Sequence, residues 1–390
     1  MVTRIARGLT SAIVMAFLVC WYGAAVAATP FETTARNAIL VEFETGKVLY
    51  EKGADDRIPP ASMSKLMTIY VVFEQLKNGS LKLSDTLPVS VDVWRKWHKS
   101  EGSLMFVREG ERVTVHDLLQ GIIVQSGNDA CDVIAEGLAG SEENFAEWLN
   151  QKAKALGLSG SHFMNAHGWP DPNDYMTVRD IARLSERVIK DFPEYYGFFA
   201  EKTFTYAGIR QNNRNPLLYT MEGADGLKTG HTEEAGYGVA VSAVRDGRRL
   251  VAVIAGTESI RERAREAERI LAHGFRNFKT YTVFKKDQVI DNAPVWLGAK
   301  GSVPLVSPLD VRVTLERSAR RDMKVTLSYD SPLAAPVTVS QPVAIARIEA
   351  PGMEAVEVPV VAGASVDSLS GFSKIGAAIK YLIWGAENGS

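Results

Sequence analysis

The chain has 390 residues, of which 46% are hydrophobic and 23% are charged, and its formal net charge is −2. This length exceeds what one typical domain needs, and the composition is ordinary for a globular protein, so we expect two folded units. A nucleic-acid-binding protein normally shows a basic surplus or a basic block. Since the sequence has neither, its charge argues against that class of protein.

The N-terminal residues have the pattern of a secretory signal. Arg4 and Arg7 precede an apolar run from Ile13 to Tyr22, and the small residue Ala27 follows. We expect cleavage after Ala27, which would place the mature protein in the periplasm or on the outer face of the cytoplasmic membrane. A retained transmembrane helix is the alternative, but the run is shorter than the ~20 apolar residues that span a bilayer.

Cleavage there would leave Cys131 as the one cysteine of the mature chain. A single cysteine cannot form an internal disulfide, so we expect no disulfide framework in spite of export. Within "NDACDVIAEGL", Cys131 has the pattern of a small buried helix residue rather than of a reactive thiol.

The next part of the chain predicts strands, then helices, then strands again. The stretch "NAILVEFETGKVLYEKG" predicts two strands joined at Thr45-Gly46, and an apolar helix follows from Ala61. Helical runs broken at Ser126-Gly127 come next, and "SEENFAEWLNQKAKALGL" predicts another helix. Strands around a tight turn at Asp246-Gly247 complete the unit. We therefore expect an antiparallel sheet with helices packed against it.

From about Tyr281 the pattern changes. The stretches "VRVTLE", "MKVTLSY" and "VEVPVV" alternate apolar and polar residues, which predicts a small all-β unit. We see no titratable cluster in this unit and interpret it as a scaffold or spacer.

The last segment, "GFSKIGAAIKYLIWG", predicts an amphipathic helix. It places Phe372, Ile375 and Leu382 on one helical face, which fits a helix lying in a membrane interface. A helix that packs back on the β unit is the alternative. We divide the chain into a signal peptide (1–27), a catalytic α+β domain (28–280), a small β-sandwich (281–365) and a linker with the amphipathic helix (366–390).

Ser62 and Lys65 in "PPASMSKLMTIYVVFEQL" are candidates for a nucleophile and its base. Residues three apart share a helix face, so Ser62 can meet Lys65 while Ser64 points away. A lysine at the start of a buried helix loses hydration, which lowers its pKa and lets the neutral amine accept the serine proton. The alternative is a lysine that reaches solvent from a helix end, and Ser-x-x-Lys alone does not decide between the two.

Two further motifs follow in chain order. Ser126-Gly127-Asn128 breaks two helices, so its hydroxyl and amide can point into a cleft, and Lys228-Thr229-Gly230 lies on a predicted strand before His231. With Ser62 and Lys65 they supply a nucleophile, a base, a proton relay, a substrate-binding amide and a cationic strand edge. In concert these motifs resemble the active-site serine penicillin-recognising enzymes.

The resemblance is closer still to one family. The stretches "PPASMSKLMT", "EGSLMFV", "QSGNDA", "GIRQNNRN", "DGLKTGHTEEAGY" and "HGFRNF" are similar to the low-molecular-mass penicillin-binding proteins that act as serine D-alanyl-D-alanine carboxypeptidases. The similarity runs from about Asn37 to Phe278, and the β unit and terminal helix also resemble that family. It implies an α+β penicillin-recognising (serine β-lactamase/transpeptidase-like) catalytic domain, a small all-β domain and a C-terminal amphipathic helix.

The resemblance also implies a role for each motif residue. Ser62 would attack the carbonyl of the penultimate D-alanine in a peptidoglycan stem pentapeptide, and Lys65 would take its proton. The oxyanion would sit between the backbone N–H groups of Ser62 and His231. Ser126 would relay a proton to the departing D-alanine, and Asn128 would hold the substrate backbone.

The strand Lys228-Thr229-Gly230 would bind the far end of the substrate. Lys228 would add positive potential, and Thr229 would grip the terminal carboxylate together with an arginine. In the family that this chain resembles, that arginine follows the Lys-Thr-Gly strand and precedes a Gly-Phe pair. Counting back from Gly274-Phe275, Arg263 is the best candidate, with Arg261 and Arg265 as alternatives. The implied partners are stem peptides, β-lactams that acylate Ser62, and a membrane surface. We expect no nucleic acid, metal or cofactor.

Other activities stay open at this point. A class A β-lactamase needs a glutamate, typically within Glu-x-x-Leu-Asn, whereas "EWLN" at Glu147–Asn150 is one residue too short and lies in a predicted helix. A D,D-endopeptidase shares the motifs, and a catalytically idle peptidoglycan-binding scaffold would lack one of them. A zinc carboxypeptidase is disfavoured because no His-Glu-x-x-His occurs, so we interpret His162 and His167 as loop or packing residues.

Overall fold

The computed structural model describes residues 30–371 together with Gly376. The predicted signal peptide and the predicted amphipathic helix therefore lie outside the described residues. Within the part that is described, no helix combines the length and the apolar character needed to cross a membrane.

The α+β unit has strands at both ends and a largely helical middle, and strands dominate the unit that follows. The strands of the α+β unit are β1 (Asn37–Glu42), β2 (Val48–Lys52), β3 (Thr86–Pro88), β4 (Arg112–Thr114), β5 (Thr203–Tyr206), β6 (Ile209–Asn212), β7 (Ala224–Thr232), β8 (Gly236–Arg245) and β9 (Arg248–Thr257). The helices are α1 (Lys65–Lys77), α2 (Val91–Trp97), α3 (Val115–Gln120), α4 (Asn128–Ala139), α5 (Glu142–Ala155), α6 (Val178–Asp191), α7 (Leu217–Thr220) and α8 (Ile260–Asn277). The β unit contains β10 (Phe278–Phe284), β11 (Val289–Trp296), β12 (Ser302–Val306), β13 (Val311–Glu316), β14 (Lys324–Ser328), β15 (Leu333–Ala334), β16 (Pro342–Ala350) and β17 (Met353–Ala362).

The central sheet is antiparallel, with the strand order β2-β1-β9-β8-β7. Every residue of β1 is buried, which requires cover on both faces of the sheet. On one face Gly274 of α8 packs against Leu40 and Leu250. On the other face Ile39 and its neighbours join the large apolar core of the helices. The predicted antiparallel sheet with helices packed against it is confirmed.

The predicted turns are also confirmed. Asp246 and Gly247 have φ angles of 51° and 73° and join β8 to β9, with Arg245 opposite Arg248. Two consecutive positive φ angles are what a tight hairpin turn requires, because they match the twist of the flanking strands. Gly46, with a φ of 67°, lies in the turn between β1 and β2.

Helix α1 is the buried helix that the apolar run predicts. All its residues from Leu66 to Phe73 are buried. It begins later than we expected, however, because Ala61–Ser64 form a 3₁₀ turn and α1 starts at Lys65. Ala61 has a φ of 49°, a left-handed conformation that the sequence did not indicate. A 3₁₀ turn has three residues per turn, so Ser62 still lies over Lys65.

The break at Ser126 is present as predicted. Helix α3 continues into a single π-helical turn, Gly121–Gln125, which ends at Ser126, and α4 begins at Asn128. Cys131 is buried within α4, as its sequence context predicts. Burial raises the pKa of the Cys131 thiol to about 12, so this side chain is an inert core residue.

Two sheets form the β unit. One has six strands in the order β14-β16-β17-β12-β11-β15, and the other pairs β10 with β13. Both contribute to one apolar core, which contains Phe284, Val313, Leu305 and Ile348. Two sheets on a common core make a β-sandwich. Strand β10 starts directly after α8, and the domain boundaries drawn from the sequence stay predictions.

Candidate active site

The sequence motifs meet in one cleft with a volume of about 770 Å³. The predicted site residues that line it are Ser62, Ser126, Asn128, Thr229, Gly230, His231 and Arg263. Two other grooves have similar volumes of about 740 and 750 Å³, but neither is lined by a serine. Lys65 and Lys228 lie behind the cleft wall, as hydrogen-bond partners of Ser62 and Ser126. The fold therefore brings together motifs that are far apart in the sequence.

Lys65 is fully buried although it carries an amine. Its Nζ lies 2.9 Å from Ser62 Oγ, 2.7 Å from Asn128 Oδ1 and 2.6 Å from the main-chain oxygen of His167. This burial excludes the alternative of a lysine that reaches solvent. Burial also lowers the pKa of Lys65 to about 8, because desolvation disfavours the ammonium form. A neutral amine is therefore accessible near neutral pH and can accept a proton from Ser62.

Ser126 is held in place by Lys228. Its φ of 67° belongs to the left-handed region, and Lys228 Nζ donates a hydrogen bond to its Oγ at 2.9 Å. Lys228 is fully buried, and burial together with the positive charges of Lys65 and Arg214 lowers its pKa well below the usual value. Asn128 turns its Oδ1 to Lys65, while its Nδ2 lies beside Gly102 on the cleft wall.

Asp129 fixes the neighbouring cleft wall, a role that sequence reasoning missed. Its carboxylate accepts backbone hydrogen bonds at 2.8, 2.8 and 3.2 Å from Met105, Phe106 and Val107. The Asn128 N–H donates to the Ser103 oxygen at 2.8 Å. The available signal was an acidic residue in the first turn of a helix, next to the Ser-Gly-Asn motif.

Of the three candidate arginines, Arg263 is the one that lies at the cleft. It is 6% exposed, and among the described residues its Nε has no hydrogen-bond partner. Burial lowers the pKa of Arg263 to about 10. The Arg265 side chain is 61% exposed and pairs with Glu262 and Glu266, and Arg261 is exposed. A buried cation beside a cleft favours an anionic ligand, because such a ligand supplies the missing hydrogen bonds.

Arg214 is a second arginine at the cleft, and sequence reasoning did not single it out. It lines the cleft and donates a hydrogen bond to Ser103 Oγ. Burial lowers its pKa. It lies within "GIRQNNRN", one of the stretches that carry the family resemblance, so the sequence did contain a signal for it.

His167 is more than the packing residue that we expected. Besides accepting from Lys65 through its main-chain oxygen, it places ring Nε2 2.9 Å from Glu142 Oε1 and 3.4 Å from Asp132 Oδ1. The Trp169 N–H donates to its Nδ1 at 3.1 Å, so the ring proton belongs on Nε2, where it faces the two carboxylates. His167 is thus a buried loop residue, as we expected, and it also contacts two carboxylates.

Asp132, Glu142 and His167 are also a group whose donor atoms lie close enough for a metal ion, within 4.8 Å of one another. Lys96 Nζ lies 2.8 Å from Asp132 and 2.7 Å from Glu142. The Lys96 ammonium contacts both carboxylates, and the neutral imidazole turns its Nε2 proton toward them, so each of these side chains already has a polar neighbour. We therefore describe it as a hydrogen-bonded charge cluster behind Lys65.

Gly168 allows this loop to approach the nucleophile. Its φ is 73°, and a Cβ atom there would lie 2.1 Å from the Ala61 oxygen and 2.3 Å from Ser64 Oγ. A glycine is needed because any side chain would collide with backbone. Ser64 thus faces this loop, while Ser62 faces Lys65, as the three-residue spacing predicts.

The remaining sequence candidates have structural contacts. Glu147–Asn150 lies inside α5, as predicted. The Asn150 side chain exchanges hydrogen bonds with the backbone of Phe163 at 2.7 and 2.9 Å. His162 forms an isolated bridge with Tyr175, and the two rings stack. These contacts agree with the interpretation of the "EWLN" stretch as a decoy and of His162 as a packing residue.

Two family matches cover most of the chain. Residues 24–259 match the family described as D-alanyl-D-alanine carboxypeptidase. Residues 278–368 match the C-terminal domain of penicillin-binding protein 5. The first match spans the cleft as far as β9, and the second spans the β unit.

Comparisons with individual proteins indicate the same family. The chain is 38% identical over 345 residues to the D-alanyl-D-alanine carboxypeptidase DacC of Escherichia coli (strain K12), which covers 87% of this chain and 86% of that protein. It is 36% identical to DacA of the same organism, with the same coverage. The crystal structure of penicillin binding protein 5 from Haemophilus influenzae has a TM-score of 0.78 at 33% identity, and the match covers 88% of this chain and 100% of that chain. The chain therefore has the penicillin-recognising fold with a C-terminal β domain, and it belongs to the D-alanyl-D-alanine carboxypeptidase family of serine peptidases.

Proposed function

We propose that this protein removes the terminal D-alanine from peptidoglycan stem pentapeptides through an acyl-enzyme on Ser62. The observation that carries the proposal is the 2.9 Å contact between Ser62 Oγ and the Nζ of the fully buried Lys65. A hydroxyl is a weak nucleophile at neutral pH, and an adjacent base of lowered pKa is what activates it.

The acylation step involves Ser62, Lys65 and the backbone N–H groups of Ser62 and His231. Ser62 Oγ attacks the carbonyl carbon of the penultimate D-alanine, and its proton passes to the neutral Nζ of Lys65. Negative charge develops on the carbonyl oxygen, which we place between the backbone N–H groups of Ser62 and His231. Both residues line the same cleft. Backbone donors that are fixed in advance stabilise such an oxyanion without reorganisation.

Departure of D-alanine requires a proton on its amine nitrogen. We assign that transfer to Ser126, whose hydroxyl is fixed by the hydrogen bond from Lys228 Nζ. The C–N bond breaks as the nitrogen takes the proton, and Ser126 regains a proton from the Lys65 ammonium, so that Lys65 is neutral again. Asn128 would meanwhile donate its Nδ2 to the substrate backbone, since its Oδ1 is held by Lys65.

The terminal carboxylate of the substrate would bind at the Thr229 end of the cleft. Arg263 supports this assignment, because its buried Nε lacks a partner among the described residues. Water then attacks the carbonyl carbon of the Ser62 ester and gives a proton to the neutral Lys65, which returns it to Ser62 Oγ as the C–O bond breaks and the tetrapeptide leaves. A β-lactam would acylate the same serine, and because its amine stays attached through the ring, a covalent adduct of Ser62 should be visible by intact-mass analysis.

The test is D-alanine release from a peptide that ends in Lys-D-Ala-D-Ala. We expect release by the wild type and by Ser64→Ala, and none by Ser62→Ala. Ser64 is the matched control because it is the neighbouring buried serine and does not bind Lys65. No release by folded wild type would contradict the proposal, and release from crosslinked muropeptides instead would identify a D,D-endopeptidase.

We also infer that the protein is exported and that its C-terminal segment lies on the membrane surface. The support comes from the sequence patterns of residues 1–27 and 372–390, because, of these residues, the structure describes Gly376 alone. Deleting the chain after Gly371 should release the protein from membranes and leave D-alanine release unchanged. Sedimentation of the truncated form with membranes would contradict the anchor.

A further inference from the structure

A groove at the joint between the two units is lined mainly by cations. It has a volume of about 740 Å³ and runs along the β8–β9 turn, the end of α8, and strands β10 and β13. Its basic residues are Arg245, Arg248, Arg276, Lys279, Arg312 and Arg317, and its acidic residues are Glu44 and Asp246. Six cations against two carboxylates leave an excess of four positive charges, in a chain whose formal net charge is −2.

Most of these cations lack an acidic partner. Arg312 pairs with Glu44 and Asp310, and Arg248 Nε lies 3.8 Å from Oε1 of the buried Glu42. In the ranges that the structure describes, Arg245, Arg276, Lys279 and Arg317 form no ion pair. Like charges gathered on one surface repel one another and destabilise the folded protein unless an anion neutralises them. An arrangement that concentrates unpaired cations therefore favours an anionic ligand.

The half-buried Arg248 shows that part of the groove is a preformed arrangement of side chains and not only a set of exposed cations. Its Nη1 donates to the main-chain oxygens of Gly274 and Phe278 at 3.3 and 2.9 Å. Its Nε and Nη2 are buried and have no hydrogen-bond partner among the described residues. The guanidinium groups of Arg245 and Arg248 both lie against the Phe275 ring, 5.1 and 5.9 Å from its centroid. These contacts hold two cations in fixed positions before any ligand arrives.

The cations are divided between the two sides of the groove. The α+β unit supplies Arg245, Arg248 and Arg276, and the β unit supplies Lys279, Arg312 and Arg317. A single phosphate group can contact the cations of one side, whereas two linked phosphate groups can contact the cations of both sides at once. Guanidinium forks bind phosphate oxygens in pairs, which suits this composition. A diphosphate carries about three negative charges at neutral pH, which the four cations without an ion-pair partner can balance.

We propose that this groove is a binding site for a diphosphate ester, held between the α+β unit and the β unit. The site is separate from the cleft, since the two share no lining residue. The inference does not depend on the proposed peptidase activity. Binding there would tie the β unit to the α+β unit through the ligand.

The test is calorimetric titration of inorganic pyrophosphate into the untagged mature chain at low ionic strength. We expect one equivalent to bind, with an affinity about tenfold or more above that of orthophosphate and falling with added salt. Arg276→Glu and Arg317→Glu, one on each side of the groove, should each weaken binding by about tenfold or more. The matched control is Arg321→Glu, because Arg321 is 88% exposed and lies outside the groove.

Each outcome decides the proposal. Failure of pyrophosphate to bind, equal binding of orthophosphate, or equal weakening by Arg321→Glu would overturn it. Thermal unfolding of each variant guards against a folding defect, and D-alanine release should be unchanged in all of them. If pyrophosphate binds as expected, a soluble nucleoside diphosphate and vesicles that contain a prenyl diphosphate distinguish a soluble ester from a lipid-linked one.

Discussion

The two units of the molecule differ in what they bury. In the α+β unit the ionisable side chains Lys65, Lys228, Asp129 and Arg263 are buried beside one cleft. Removing a charge from water is unfavourable unless hydrogen bonds or opposite charges compensate. The α+β unit tolerates this cost at the positions where the proposed chemistry uses a lysine of low pKa and a cation that binds the substrate carboxylate.

The β unit buries no such groups. From Phe278 onward, the buried polar side chains among the described residues are Ser307 and Thr314, both hydroxyls. Ion pairs of this unit, such as Arg347 with Glu349, lie on its surface. The difference indicates that the buried ionisable groups needed for the proposed chemistry are confined to the α+β unit. The predictions that follow test this contrast.

The largest effect is expected from Lys65→Met. Removing the base should lower the rate of acylation by about 10³-fold, whereas the protein should stay folded because Met fills the buried volume without a charge. The measurement is kcat/KM for D-alanine release together with the penicillin acylation rate. Lys324→Met, at an exposed position of β14, is the matched control and should change neither value. A Lys65→Met rate within tenfold of the wild type would exclude Lys65 as the base.

Arg263→Ala should have the next largest effect. Losing a charged hydrogen-bond donor to the substrate carboxylate should lower kcat/KM by about 10-fold to 100-fold. Arg265→Ala is the control, because that side chain is exposed and bound to Glu262 and Glu266. If Arg265→Ala is impaired and Arg263→Ala is not, the carboxylate contact belongs to Arg265.

A pH profile should report on Lys65 directly. Its pKa is lowered to about 8 chiefly by burial, with Cys131, Arg214, Asp132 and Asp129 as the charged or titratable groups that act on it. The amine must be neutral to accept the Ser62 proton, so the acylation rate should rise with pH and level off above about pH 9, about tenfold higher than at pH 7. The measurement is the rate of labelling by a fluorescent penicillin across this range. A rate that does not change with pH would contradict the assignment.

The smallest effect on activity is expected in the β unit. Ile348 is fully buried there, and Ile348→Ala should lower the free energy of unfolding of that unit by about 2–5 kcal/mol. D-alanine release should nevertheless be unchanged. Ile69→Ala, at an equally buried position of α1, is the comparison and should impair both stability and turnover, because α1 carries Lys65. Equal loss of activity in both variants would show that the β unit supports the cleft.

Much of the fold was predictable because its signals are local. The apolar run of α1, the turn at Asp246-Gly247 and the break at Ser126 each depend on neighbouring residues, and all three are confirmed. The start of α1 was placed one turn too early, since Ala61–Ser64 form a 3₁₀ turn in which Ala61 has a left-handed φ of 49°. No pattern in the sequence signals such a conformation for an alanine.

The residues of the candidate site also fall into those that the sequence indicated and those that it did not. Spacing in the sequence predicted that Ser62 can meet Lys65, because residues three apart share a helical face, but it did not by itself decide their role. Family resemblance extended the selection to Ser126, Asn128 and the Lys228 strand. It did not show that Asp129 holds loop 105–107 or that Arg214 lines the cleft.

What the sequence determined by itself was therefore the identity of the motifs and the local elements that carry them. Only the tertiary structure decided that Arg263 rather than Arg265 reaches the cleft, and that the main-chain oxygen of His167 accepts from Lys65. The physical reason is that burial, desolvation and hydrogen bonding join residues that are far apart in the chain. Lys65 and His167 are separated by 102 positions, and no local pattern encodes their contact.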